Sequence, residues 1–242
     1  MPATGRPDTG LIRMQTTRRT SGIRKALIAW SSGKDSAWAL HECRNVRGFE
    51  IVGALTTITE DFNRVSMHGV REELVRAQLD AARLRPIVVR IPFPCPNEIY
   101  EQKMAAAVSA ARSSGITHMV FGDLFLEDVR KYREQRFAGT GIMPVFPLWG
   151  RPTPALAREM IEAGVEAHLC TVDLKKLPAS YAGRRFDGAM LESLPPGIDP
   201  CGENGEFHTF VSAGPMFSKR IAVRPAETVQ RDGFAFADFL SV

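Results

Sequence analysis

The sequence predicts an α/β protein with a doubly wound, mostly parallel five-stranded sheet and a smaller C-terminal α+β part. Apolar, β-rich runs alternate with helical patterns from residue 24 to about 172, which implies a parallel sheet covered on both faces. After Leu194 the chain becomes rich in Pro and Gly and then alternates in short β-like stretches around Asp232-Gly233. With 242 residues, the chain can bury about 70 % of its unfolded surface, so a substantial core is expected.

Hydrophobic periodicity and turn residues place the elements in order. The predicted strands are 25–30, 50–57, 86–91, 117–121 and 142–146, with a further strand at 165–172. The predicted helices are 36–45, 68–84, 97–115 and 153–164, with a polar helical stretch between the fourth and fifth strands. The second helix has apolar residues at spacings of three and four, and Asn97 and Thr153 are favourable N-caps.

The net charge of +4 and the pI near 9.0 are unevenly distributed. Residues 1–22 contain four arginines and one aspartate, have no apolar period and are predicted to be a disordered tail. This segment could be a transit peptide, or Met14 could be the true initiator. The rest of the chain is nearly neutral, so a nucleic-acid partner is not indicated.

Composition excludes several classes of protein. No apolar run approaches the roughly 20 residues of a membrane helix, and no apolar segment suits secretion. The four cysteines lie far apart without a C-x-x-C pair, which argues against a disulfide framework and a structural zinc site. We therefore expect four reduced thiols in a cytoplasmic protein.

The strongest local signal is the loop Ser31–Ser36, which lies directly between the first strand and the first helix. Small residues, helix N-terminal amides and a lysine together favour binding of a phosphate. The loop is not a Walker A motif, because Ile28 stands where glycine is required and Asp35 follows Lys34. The dinucleotide-binding G-x-G-x-x-G pattern is also absent.

This loop resembles the S-G-G-x-D-S loop of the ATP-pyrophosphatase (PP-loop) superfamily, whose members cleave ATP between the α and β phosphates. Across residues 24–242 the chain resembles the diphthine–ammonia ligase family and its bacterial relatives, the adenine nucleotide alpha hydrolase-like proteins. Further motifs carry this resemblance: HGVREELVRAQ at 68–78, FGDLFLEDVRKYRE at 121–134, VFPLWGR at 145–151, CGENGEFHTF at 201–210 and GPMF at 214–217.

The resemblance implies an ATP- and Mg²⁺-dependent ligase that adenylates a carboxylate, releases pyrophosphate and forms an amide with ammonia or an amine. It implies an ATP-binding domain at 23–150 and an acceptor-binding domain at 151–242. The acceptor would be a small molecule or a modified protein side chain, without a membrane partner. The sequence is also compatible with a homodimer.

Site residues follow from the same motifs. The expected catalytic residues are Lys34, Asp35, Asp123, Glu203 and Glu206, of which Asp35 and Asp123 would hold the metal. Residues expected to bind the nucleotide are Ser31, Ser32, Gly33, Lys34, Asp35, Ser36, Thr56, His68 and Gly122. Residues expected to bind the acceptor are Asp128, Arg130, Tyr132, Arg133, Asn204 and His208.

Several positions depart from the family pattern or have a purely structural interpretation. Ser32 replaces the usual second glycine, which is tolerable if its φ is negative. Asn204 and His208 stand where Gly and Glu are usual, which favours a bacterial relative with a different acceptor. Structurally, His68 and Asp123 would cap helices, and the charged helix at 127–134 would be a solvated face. Two functions stay open as alternatives: a PP-loop tRNA-modifying enzyme, and an ATP- or AMP-binding protein without turnover.

Overall fold

The computed structural model describes residues 23–46 and 48–242, so the predicted tail at 1–22 lies outside the described residues. The first sheet contains six strands: β1 (Arg24–Ala29), β2 (Phe49–Thr59), β3 (Arg64–Val65), β4 (Arg85–Ile91), β5 (His118–Val120) and β6 (Met143–Val145). β2 pairs in parallel with β1 and β4, β1 pairs with β5, and β5 pairs with β6. The predicted α/β fold is confirmed. Five of the six strands, all except β3, pair in parallel.

Four helices connect these strands: α1 (Lys34–Asn45), α2 (Glu72–Ala81), α3 (Asn97–Ser113) and α4 (Glu127–Phe137). The sequence missed β3, which is antiparallel to the last residues of β2. Because this hairpin and the turn after it use residues 64–70, α2 begins at Glu72 rather than at His68. Met67 and Gly69 have φ values of 68° within that turn, which a continuous helix would not allow.

A second, antiparallel sheet follows α5 (Thr153–Glu162). Its strands are β7 (Glu166–Asp173), β8 (Phe207–Ala213), β9 (Val223–Arg231) and β10 (Phe234–Ser241), in the spatial order β8-β7-β10-β9. A 3₁₀ turn (Ala179–Tyr181) and the short helix α6 (Gly188–Glu192) lie between β7 and β8. Asp232 and Gly233 both have positive φ and form the tight turn between β9 and β10, as their sequence predicted. The predicted domain boundary at residue 150 falls between the two sheets and stays a prediction.

The two sheets share one buried hydrophobic cluster, which includes Ile28 and Ala54 of the first sheet and Phe210 and Phe239 of the second. A second cluster packs α3 and α4 against the other face of the parallel sheet. Because both sheets pack into the first cluster, β8 lies against the loop between β1 and α1. This contact positions the site.

The prediction of reduced cysteines is confirmed, because Cys43, Cys95, Cys170 and Cys201 are all free. Across residues 23–46 and 48–242, no helix combines the length and the apolar character needed to cross a membrane.

Candidate active site

The loop Ser31–Ser36 joins β1 to the N-terminus of α1. Gly33 is the N-cap residue and offers no side-chain hydrogen bond to the helix. The missing cap comes from the other sheet, because the Lys34 amide donates to Oγ1 of Thr209 in β8 at 3.0 Å. Within the loop, the Gly33 amide donates to Ser31 Oγ at 3.3 Å and the Ser31 amide to Ser36 Oγ at 3.4 Å. Three amides expected to face phosphate therefore already have acceptors within the chain.

Two positions around this loop require glycine, because neighbouring atoms leave no room for a Cβ. A Cβ on Gly33 would lie 3.0 Å from His68 Cε1 and 3.1 Å from the Thr209 carbonyl oxygen. A Cβ on Gly122, just after β5, would lie 2.7 Å from the Asp35 carbonyl carbon and 2.9 Å from the Ser36 nitrogen. Any larger residue at either position would push the N-terminus of α1 away from its neighbours.

Ser32 has a φ of 72°, so the sequence-based condition of a negative φ is not met. This left-handed conformation costs a non-glycine residue about 1–2 kcal/mol. The Ser32 hydroxyl is also buried without a hydrogen-bond partner. The strained residue is held by its carbonyl oxygen, which accepts from the Val211 amide at 3.1 Å and from Gln78 Nε2 at 3.0 Å.

Gln78 is an important residue of this site that the sequence-based predictions omitted. Its side chain is fully buried; Nε2 donates to the carbonyl oxygens of Ser32 and Val211, and Oε1 accepts from Trp30 Nε1 at 3.0 Å. The amide thereby joins β1, the loop and β8. The available signal was its place at the end of the HGVREELVRAQ motif, on the apolar face of a helix.

A polar cleft of about 330 Å³ opens at the carboxyl ends of β1, β2 and β5, within the size range of small-molecule sites. Ligands of open parallel sheets bind at this edge. Ten residues that the sequence predicted for the site line this cleft: Ser31, Lys34, Asp35, Ser36, His68, Gly122, Asp123, Arg133, Glu203 and His208. Apolar side chains at one end, including Leu55, Tyr100, Met104 and Phe121, complete the lining.

Lys34 is 1 % exposed, and its ammonium donates to both carboxylate oxygens of Asp35, at 2.9 and 3.0 Å, and to the Cys201 carbonyl oxygen. Burial opposes the charge on this ammonium, but Asp35 outweighs burial and raises the pKa of Lys34. The lysine is therefore cationic at neutral pH. It also links the loop to the segment 201–206 of the C-terminal part.

Three carboxylates face the same cleft. Asp123 forms a two-point ion pair with Arg133, with distances of 2.6 and 2.9 Å. Glu203 accepts a hydrogen bond from the Leu124 amide at 2.7 Å. Burial, followed by the nearby charges of Asp35 and Asp123, raises the pKa of Glu203 to about 7, although the Leu124 amide favours its ionised form. Glu203 can therefore gain or lose a proton near neutral pH.

His68 and His208 stack in the cleft with ring centroids 4.4 Å apart and an interplanar angle of 28°. Burial and then the neighbouring His208 hold the pKa of His68 well below its usual value. Burial and then Lys34 lower the pKa of His208 to about 4. Both rings are therefore neutral at pH 7 and can donate or accept hydrogen bonds without adding charge.

Other predicted site residues lie outside the cleft lining. Thr56 is buried on the opposite side of β2, and its neighbour Thr57 lines the cleft instead, because side chains alternate along a strand. Ser32 and Gly33 are buried and do not line the cleft. Glu206 is buried, and its Oε1 accepts from the Asp199 amide and from Asn204 Nδ2, both at 3.1 Å. Glu206 and Asn204 thus stabilise the segment 199–206.

The polar residues predicted to form one cluster on α4 lie on different faces of that helix. Arg133 reaches the cleft, whereas Asp128 is exposed. Arg130 pairs with Glu134 and lies over the Trp149 ring at 4.7 Å, and Tyr132 is 41 % exposed. Within residues 23–46 and 48–242, no three His, Cys, Asp or Glu side chains converge to hold a metal by themselves.

This geometry defines an α/β protein with a charged ligand cleft between a parallel and an antiparallel sheet. Residues 152–238 match the family model described as the diphthamide synthase C-terminal domain. The chain is 35 % identical over 230 residues to a mouse protein named diphthine–ammonia ligase, an alignment that covers 86 % of this chain and 85 % of the mouse protein. The chain belongs to the diphthine–ammonia ligase family.

Alignments with other relatives of that name are shorter. The zebrafish protein is 35 % identical over 118 residues, which is 46 % of each chain. The human protein is 35 % identical over 101 residues, which is 40 % of this chain and 38 % of the human protein. In these two alignments the chain spans less than half of the relative's length.

Proposed function

We propose that this chain is a ligase that uses ATP to adenylate a carboxylate and then forms an amide with ammonia or an amine. The observation that carries the proposal is the cleft itself, where a helix N-terminus, a cationic lysine and three carboxylates converge. The relatives' name, diphthine–ammonia ligase, supports the reaction type. In this proposal residues 23–150 bind ATP, residues 151–242 bind the acceptor, and the protein works in the cytoplasm.

The triphosphate is proposed to lie over Ser31–Ser36. The positive end of the α1 dipole and the Lys34 ammonium favour an anion there. Because Lys34 already binds Asp35 and the Cys201 carbonyl oxygen, a phosphate would compete for its protons. A carboxylate is itself a nucleophile, so the first step needs orientation and charge stabilisation rather than a base.

The carboxylates of the cleft suit Mg²⁺. Glu203 has a raised pKa partly because Asp35 and Asp123 add negative charge beside it, and a divalent cation would reduce that repulsion. Asp35 and Asp123 would hold the ion together with phosphate oxygens. When bound, Mg²⁺ supplies charge neutralisation of the triphosphate.

The proposed reaction has two chemical steps, adenylation of the acceptor and formation of the amide. The acceptor carboxylate oxygen bonds to the α-phosphorus, and pyrophosphate leaves. The nitrogen of ammonia then bonds to the acyl carbon, AMP leaves, and one proton is released. Glu203 takes this proton, because its carboxylate lines the cleft beside the carboxylates that would hold the ion. The neutral His68 and His208 rings are free to orient the acceptor.

The test is to measure pyrophosphate and AMP formation from ATP with Mg²⁺, ammonium and diphthine. We expect activity in the wild type and a loss of at least about 100-fold in Lys34→Ala. Lys131→Ala, at a 69 % exposed position of α4, is the matched control. Glu203→Gln should slow AMP formation and change its dependence on pH when the concentration of unprotonated ammonia is held constant.

The outcomes separate the proposal from its alternatives. Binding of ATP without AMP formation with diphthine or any other acceptor would contradict the ligase and favour a non-catalytic nucleotide-binding protein. AMP formation that requires tRNA rather than a small carboxylate would favour the tRNA-modifying enzyme. A Glu203→Gln variant with an unchanged pH profile would remove Glu203 from the proposed proton transfer.

A further inference from the structure

A second concave surface adjoins the cleft and is absent from the predictions made from the sequence. It is a mostly apolar groove of about 310 Å³ between the β2–β3 hairpin, the segment 91–95 after β4, and the β9–β10 hairpin. We name it the aromatic groove, after Phe62, Phe93, Phe234 and Phe236 in its lining. Val65, Ser66 and His208 line both this groove and the cleft, so the two spaces adjoin at these residues.

The rim of the groove is unusually apolar for an exposed surface. Phe62, Phe93 and Met67 are 41 %, 62 % and 73 % exposed, and the Phe62 and Phe93 rings lie 5.2 Å apart. Exposed apolar patches of this kind are typical of binding surfaces. One wall, formed by β9 and β10, belongs to the residues that match the diphthamide synthase C-terminal domain.

The groove also contains a cation that is not ion-paired. Arg231 lies over the rings of Phe62 and Phe236, with distances of 5.3 and 4.9 Å to the ring centroids. No carboxylate within residues 23–46 and 48–242 forms an ion pair with Arg231, whereas Arg64, which also lines the groove, is bound by Asp238. A carboxylate ligand with apolar groups would complement this combination of aromatic rings and free positive charge.

We infer that the aromatic groove binds the carboxylate acceptor and delivers its carboxylate past His208 into the cleft. This inference rests on the proposed function and adds the place and the chemical class of the acceptor: an amphipathic carboxylate rather than a fully polar one. Arg231 guides the carboxylate, and Phe62 and Phe236 contact its apolar part. The nucleotide lies on the other side of the His68–His208 pair.

A rival route exists on the opposite side of the cleft. An apolar pocket of about 360 Å³ between α3 and α4 shares Tyr100 and Phe121 with the cleft. Two of its arginines, Arg133 and Arg136, are paired with Asp123 and Glu101, so they are less available to a carboxylate. Arg112 has no carboxylate partner within residues 23–46 and 48–242, but unlike Arg231 it lies over none of their aromatic rings. Arg112 is the matched counterpart of Arg231, because both side chains are exposed and line their pockets.

The experiment compares Phe62→Ala, Arg231→Gln and the rival-pocket variant Arg112→Gln with the wild type in the full chain. Calorimetric titration with free diphthine is performed at saturating AMP, and AMP affinity is measured separately as a report on folding and on the cleft. We expect the dissociation constant for diphthine to rise about tenfold in Phe62→Ala and in Arg231→Gln. Arg112→Gln should bind diphthine like the wild type, and AMP affinity should stay constant in all variants.

Each other outcome has a defined meaning. Weakened diphthine binding in Arg112→Gln alone would place the acceptor in the rival pocket and overturn the inference. Absence of diphthine binding by the wild-type protein would also overturn it. If the wild type binds diphthine and the groove variants weaken that binding, but no AMP forms from ATP, the groove is supported and the ligase proposal fails. Loss of AMP affinity in Phe62→Ala would direct the comparison to Phe62→Leu, which must reproduce the weaker diphthine binding.

Discussion

Glu203 provides a stability prediction that does not depend on the reaction. Its pKa is about 7 in the folded protein against an ordinary value of 4.5, a difference of about 2.5 units. At about 1.36 kcal/mol per pH unit this corresponds to at most about 3.4 kcal/mol, and partial exposure of the side chain reduces the expected value to about 1–3 kcal/mol. Because the pKa is raised, the folded state binds the proton more tightly, so ionisation of Glu203 destabilises the fold.

The perturbation is Glu203→Gln, which keeps an oxygen that can accept from the Leu124 amide. Below about pH 4.5 Glu203 is protonated in both states, and the two proteins should have similar stability. Between pH 4.5 and 7 the unfolded wild type loses its proton first, so the variant should become progressively more stable, by about 1–3 kcal/mol at pH 8. Above pH 7 the difference should stay constant.

The assay is urea denaturation of both proteins from pH 4.5 to 8.5, compared as differences at each pH. Other groups titrate in both proteins and therefore cancel in this comparison. Glu127→Gln, at a 78 % exposed position, controls for the loss of one negative charge. A stability difference that does not change with pH, or that favours the wild type at high pH, would refute the assignment of a buried and electrostatically opposed carboxylate.

Three further substitutions test the contacts that hold the site. Ser32→Gly should raise the free energy of unfolding by about 1 kcal/mol in urea, because it removes a left-handed serine and a buried unpaired hydroxyl; a less stable variant would contradict this. Gln78→Leu should lower it by about 2–5 kcal/mol, since Trp30 Nε1 and the Val211 carbonyl lose their partner, whereas exposed Gln135→Leu should change it by under about 0.5 kcal/mol. Burial opposes the charge of Asp238, but hydrogen bonds from two arginines outweigh it and hold the pKa well below its usual range. Asp238→Asn should therefore destabilise the protein by about 1–3 kcal/mol at pH 7 and by less below pH 4; an equal effect at both pH values would oppose the ion-pair explanation.

Local patterns predicted the parallel sheet well because they report on local structure. Alternation of apolar strands with amphipathic helices determines which residues must be buried, and this requires no knowledge of distant contacts. The loop Ser31–Ser36 was equally visible, since its residue types and its place between a strand and a helix are local properties. The hairpin strand β3 was missed because two residues of strand leave no periodic signal.

Contacts between residues far apart in the chain decided the chemistry of the site. Sequence could not indicate that Thr209 caps α1, that the Cys201 carbonyl binds Lys34, or that Glu203 approaches the amide of Leu124. Nor could the alternation along β2 show whether Thr56 or Thr57 faces the cleft, because a strand buried on both faces has no polar side.

The sequence by itself determined the fold class, the family and the position of the loop that we propose binds an anion. Only the tertiary structure decided which carboxylates share the cleft, which part of α4 reaches it, and that an aromatic groove adjoins it at His208. The physical reason is that charge states and cavities arise from burial and proximity. These depend on how the antiparallel sheet packs against the parallel one, across separations of more than a hundred residues.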